Sequence, residues 1–133
     1  VLETDIANNA VMQDIVVALG TNPVGGTEAI DRIVEMLPKG HRLIFVTPHD
    51  GRHNDPSSGA AAIRAYELQL AEKYDYIYIA DWHQTAVDHP ELWPGTDNVH
   101  FGSDSDTINA GGELFATTVA DAIAKADQGP VKP

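Results

Sequence analysis

Three apolar runs rich in Ile, Val and aromatic residues punctuate the chain, over 14–19, 42–47 and 76–80, and each stops at a breaking or polar residue: Gly20, Pro48 and Asp81. Runs of this length without polar alternation predict strands buried on both faces. Between them the apolar period becomes helical. Ile30, Ile33, Val34 and Leu37 share one face behind Thr27, which predicts a helix capped by Thr27, with Glu28 in its first turn and a stop at Pro38 and Gly40. Pro56, Ser57 and Ser58 open a second helix with the stripe Ile63, Tyr66, Leu70 and Tyr74. A short helix over 83–87 and a turn over 90–95 follow, and a final helix over 106–126 turns Phe115, Val119, Ala122 and Ile123 inward. Gly111 and Gly112 inside that helix predict a close packing contact, not a break. Residues 1–13 show no clean period and predict the end of a helix, while 127–133 predict a frayed tail.

Strands that alternate with helices at this spacing imply parallel pairing through right-handed crossovers, hence a three-layer α/β/α sandwich in one domain over 1–126. Three strands make a thin sheet, since open sheets of this kind usually hold about five. The reading therefore expects an incomplete, C-terminal portion of the fold, with its first strands before Val1. It also expects the edge beside 15–19 to be covered by a second chain, a swapped copy or residues beyond this sequence.

Composition narrows the partners. Eight basic against twenty acidic side chains give a net charge of −12, which repels phosphate backbones and argues against nucleic-acid binding. Cysteine is absent, so disulfides, thiolate metal sites and cysteine nucleophiles are excluded together. No apolar run is long enough to cross a bilayer.

In open α/β sheets the ligand crevice lies beyond the carboxyl ends of the strands. Those ends carry Gly20-Thr21-Asn22, Pro48-His49-Asp50 and Asp81-Trp82, and the loop holding Asp97 and His100 emerges on the same side. An Asp and a His three residues apart can fold back so that the carboxylate holds one imidazole nitrogen and leaves the other as a base. Gly20-Thr21-Asn22 fits either a plain turn or a chemical role in which the Asn22 amide faces a developing oxyanion.

On these residues the chain resembles the SGNH (GDSL-like) hydrolase superfamily. The motif Gly20-Thr21-Asn22 after a buried strand, Asp97-x-x-His100 further on and a closing helix with Gly111 and Phe115 carry the likeness. Within the superfamily it looks most like the extracytoplasmic C-terminal domain of peptidoglycan O-acetyltransferases, over about 14–126. The resemblance implies His100 as general base, Asp97 as its orienting carboxylate and Asn22 as an oxyanion-hole donor, with Gly20, Thr21, His49 and Trp82 against the substrate. It implies an acyl ester on cell-wall carbohydrate as the substrate class, no cofactor, and a location at the outer face of the cell membrane or secreted. The family's serine belongs to an earlier block that is absent here. Ser57 and Ser58 read as helix caps, and Ser103 and Ser105 lie in a loop with no strained elbow. The expected partner is thus an N-terminal segment bearing the serine, with a membrane-embedded acyltransferase part possible in a longer protein, and this chain alone is expected to be inactive.

Two other readings stand beside it. A non-catalytic carbohydrate-binding or structural module could keep the fold without the serine. A metal-dependent hydrolase could use His49, His53 and His83 with Asp50, Asp55 and Asp81, although no familiar ligand spacing is present and the site reading assigns no metal. Trp82 and Trp93 could stack on sugar rings, but a partly buried aromatic near a strand end is the simpler description.

Overall fold

The structure is a computed structural model, and it describes residues 1–20, 26–53 and 58–133. Three strands, β1 (Asp14–Val17), β2 (Arg42–Val46) and β3 (Ile77–Ala80), form one sheet in the order β1-β2-β3. Both pairings are parallel, with Ile15 opposite Leu43 and Phe45 opposite Ile79. The helices among the described residues are α1 (Leu2–Ala7), α2 (Gly26–Met36), α3 (Gly59–Lys73), α4 (Trp82–Asp88) and α5 (Ser105–Asp127), with a 3-10 turn at Pro90–Leu92.

Alternation along β2 divides the core. Leu43 and Phe45 face α2 and α3 in a cluster with Ile30, Val34, Ile63 and Leu70, while Ile44 and Val46 face α4 and α5 with Trp82, Ala86, Ala122 and Ala126. The parallel α/β architecture expected from the sequence is therefore the one observed. Ser58 caps α3 by accepting from the Ala61 N–H, as its position before the helix implied. Asp104 and Thr107 close a reciprocal capping box at the start of α5.

Three expectations need correction. β1 is not buried on both faces: Ile15 is buried, but Val16 is 41% exposed and Leu19 beyond the strand 62%. β1 is the terminal strand of the sheet, and among the described residues no strand pairs with its outer edge. The stripe on α3 is wider than expected: Ile63 and Leu70 are buried and Tyr66 and Tyr74 pack against the same core, but Ala60 and Glu67 are buried as well. Tyr66 stands at the margin, with its hydroxyl donating to Asp31 of α2. The tail does not fray in this structure. Lys132 exchanges backbone bonds with Gly40 and His41 at 2.8 Å each, and its Nζ donates to the Val34 carbonyl at 2.9 Å, which satisfies an orphan acceptor at the end of α2.

The two glycines in α5 differ. A Cβ on Gly111 would lie 2.2 Å from the Phe101 ring, whereas one on Gly112 would meet nothing within 4 Å. Gly111→Ala is therefore expected to destabilise the fold by about 1–3 kcal/mol. Gly112→Ala should be neutral or stabilising by up to about 1 kcal/mol from helix propensity. Urea denaturation of the two variants checks the contrast.

Candidate active site

The loop between the 3-10 turn and α5 is held by its own polar groups. Thr96 donates its hydroxyl to the Trp93 carbonyl at 2.7 Å and accepts from the Asn98 N–H at 3.0 Å. Asn98 adopts φ +61°, which turns the chain back on itself. Asp97 then sits under the turn. One carboxylate oxygen accepts from the Val99 and His100 N–H groups at 2.9 and 2.8 Å, and the other accepts from His100 Nδ1 at 2.8 Å. These bonds, led by the His100 N–H and then its ring, hold the Asp97 carboxyl well below the usual carboxylate range. With Asp97 ionised, the ring carries its proton on Nδ1 and presents an Nε2 lone pair. The His100 side chain is 85% exposed, and among the described residues no serine hydroxyl bonds it.

His100 lines a cavity of about 450 Å³ together with Leu19, Thr47, His49, Trp82 and Phe101. The ends of β1 and β2 and the start of α4 thus meet the His100 loop in one crevice, at the carboxyl edge of the sheet. Gly20 ends the first of these elements with φ +126°, and a Cβ there would lie 2.9 Å from Ile63. Thr21 and Asn22, expected beside the substrate and in the oxyanion hole, lie outside the described residues, as does Asp55. Trp82 borders the crevice but is only 6% exposed, packed edge-on against Phe101 and Phe115 at 5.4 and 5.1 Å.

His49 faces His83 with their Nδ1 atoms 3.3 Å apart, and its ring lies 4.6 Å from Trp93. Burial, reinforced by His83, lowers the pKa of His49; burial and then Arg64 lower that of His83. Both shifts favour the neutral rings, and a hydrogen bond between the two Nδ1 atoms requires one ring to donate and the other to accept. Beyond this pair, the loop after β2 is fastened to the His100 loop by the Gly51 N–H, which donates to the Asn98 carbonyl at 2.8 Å.

The nearby acids are committed to other partners. Asp81 caps α4 and accepts two bonds from Arg64 at 2.9 and 2.7 Å and one from Thr47 at 2.8 Å. The two-point bond from Arg52 holds Asp50 down at about 2. Among the described residues no group of three or more His, Asp or Glu side chains is arranged to hold a metal ion. Sequence reasoning placed His49, His83 and Asp81 near one edge without pairing the two rings, and it missed Thr47, Arg64 and Glu67. The available signal was Glu67 itself, an acid four residues after Ile63 on the apolar face.

No protein-family model and no curated protein sequence matches the chain. A solved structure does. The C-terminal catalytic domain of Streptococcus pneumoniae peptidoglycan O-acetyltransferase A (OatA), determined with a methylsulfonyl adduct, is similar at a TM-score of 0.87 and 46% sequence identity, over 98% of this chain and 74% of that one. The chain belongs to the OatA C-terminal domain family. Its three-stranded parallel sheet flanked by helices is the α/β arrangement of the OatA domain, whose fold is SGNH-like.

Proposed function

We propose that this chain supplies the base and part of the oxyanion hole of a serine-dependent acetyltransferase or esterase acting on cell-wall polysaccharide, with the nucleophilic serine on polypeptide outside these 133 residues. Membership of the OatA family gives a function related to peptidoglycan O-acetylation and an acyltransferase class of activity. The observation that carries the finer reading is the Asp97–His100 pair, fixed in the tautomer of a general base on the wall of a crevice at the strand ends.

The serine oxygen attacks the acyl carbonyl and gives its proton to His100 Nε2, while Asp97 stabilises the imidazolium. The Asn22 amide donates to the oxyanion. Collapse expels the donor's alcohol, which takes the proton back from His100 and leaves an acyl-serine. A sugar hydroxyl, or water, then attacks this ester as His100 again takes the proton, and collapse breaks the serine–acyl bond, releases the new ester or the acid, and returns the proton from His100 to the serine oxygen. Gly20, Thr21, His49 and Trp82 would border the sugar and acyl groups. The family's setting suggests an extracellular location. A membrane-embedded acyltransferase part would deliver the acetyl group; among the described residues no helix is long and apolar enough to cross a membrane.

Aryl-acetate turnover and acetyl transfer to glycan oligomers test this, measured on the 133-residue chain and on the chain extended by the nucleophile-bearing segment. Turnover only in the extended form supports the proposal. Glycan binding with no turnover in either form would favour the non-catalytic module, and turnover abolished by chelators would favour a metal enzyme. Asp97→Asn in the extended form should lower turnover by about 10³–10⁴-fold, since the amide no longer selects the productive tautomer.

A further inference from the structure

Among the described residues, Glu67 carries the one buried side-chain polar atom without a hydrogen-bond partner, its Oε2. The residue is 1% exposed and lies on the sheet-facing side of α3, between Ile63 and Leu70. It lines a cavity of about 360 Å³ with Val17, Leu19, Gly20, Ile30 and Phe45. Apart from this carboxyl the described lining is apolar or glycine. An unsatisfied buried acid is costly where a leucine would pack without penalty, so its presence calls for a partner. Its charged neighbours do not provide one. Arg64, one turn earlier, gives two nitrogens to Asp81, and Asp81 is itself an anion. Burial, and then the Asp81 charge, push Glu67 up to about 8, so at neutral pH it is an acid with an O–H to donate and a carbonyl to accept.

This cavity adjoins the open edge of β1. Val17, Leu19 and Ile33 line it and also line a groove of about 480 Å³ along the outer side of the strand, with Leu2, Val16 and Met36. In a terminal strand, alternate N–H and C=O groups point away from the sheet. A mainly apolar groove, which Glu3 and Asp5 also line, beside a strand edge that no described strand pairs, fits an extended polypeptide better than a small molecule. Leu19 also lines the His100 crevice, so the inner end of such a segment would reach the site. The S. pneumoniae domain, matched over 74% of its length, has polypeptide beyond the match.

We propose that Glu67 is a positioning residue: its carboxyl hydrogen-bonds the backbone of a segment that pairs with the open edge of β1, and so sets the end of that segment at the rim of the His100 crevice. The inference rests on the reading that the nucleophile comes from outside these residues. It is tested with the part of the S. pneumoniae OatA domain outside the match, prepared as a separate polypeptide and titrated against the chain by calorimetry. Glu67→Gln keeps a donor and an acceptor, whereas Glu67→Leu keeps neither. At neutral pH the wild type and Glu67→Gln should bind alike and Glu67→Leu about tenfold more weakly or worse. Near pH 9, where Glu67 ionises, wild-type binding should weaken while that of Glu67→Gln holds. Wild-type binding of the probe by Glu67→Leu, or no binding by the wild type, overturns the proposal. Turnover by the assembled protein is scored separately: binding that depends on Glu67 without turnover would sink the catalytic reading and leave the positioning role standing.

Discussion

Replacing His100 with alanine in the extended protein is expected to lower aryl-acetate turnover by about 10³-fold or more without loss of stability. The first half follows from the lone pair that Asp97 leaves on Nε2, the proton acceptor the mechanism requires. The second follows from exposure. With 85% of the side chain in solvent, truncation removes little packing, and the Val99 and His100 N–H groups still bond Asp97. Equal turnover by His100→Ala and the wild type would remove His100 from the chemistry.

The second large effect is on stability. The 133-residue chain should lose about 1–2 kcal/mol of unfolding free energy between pH 7 and 9, because Glu67 ionises near 8 when folded against an ordinary value of 4.5. The folded state binds the extra proton between those values. Its contribution is therefore complete below the unfolded pKa and lost as pH rises through the folded one. His49 and His83, whose values burial lowers, act in the opposite sense. Glu67→Gln should flatten the profile, and Glu67→Leu should exceed the wild type at pH 9. Urea midpoints across the range provide the measurement, and a flat wild-type profile would contradict the burial argument.

The parts that could be read in advance were those that one local rule decides. Uninterrupted Ile and Val runs ending at Gly20, Pro48 and Asp81 placed three strands, and strands alternating with helices dictated parallel pairing. Parallel order puts the strand ends on one edge, which by itself predicts His49 and His100 in one crevice, where both are found. Features that depend on a distant partner stayed hidden. His49 and His83, 34 residues apart, were grouped at one edge, but their direct Nδ1 contact and the Thr47–Asp81 bond beside it were not foreseen. A glutamate among apolar positions reads as the solvent side of a helix, which left Glu67 out of the expected stripe. The tail looks unstructured because its anchors are carbonyls at the end of α2, nearly a hundred residues away in the chain. The thinness of the sheet leads to the expectation of a covered edge at β1, whereas Val16 and Leu19 are exposed and no described strand pairs there.

Intact-protein mass after treatment with methanesulfonyl fluoride tests the division of labour most directly. The account predicts no adduct on the 133-residue chain, a single adduct on the serine of the added segment in the extended protein, and loss of that adduct in His100→Ala. An adduct on Ser58, Ser103 or Ser105 of the short chain, or labelling of the extended protein that ignores His100, would contradict it.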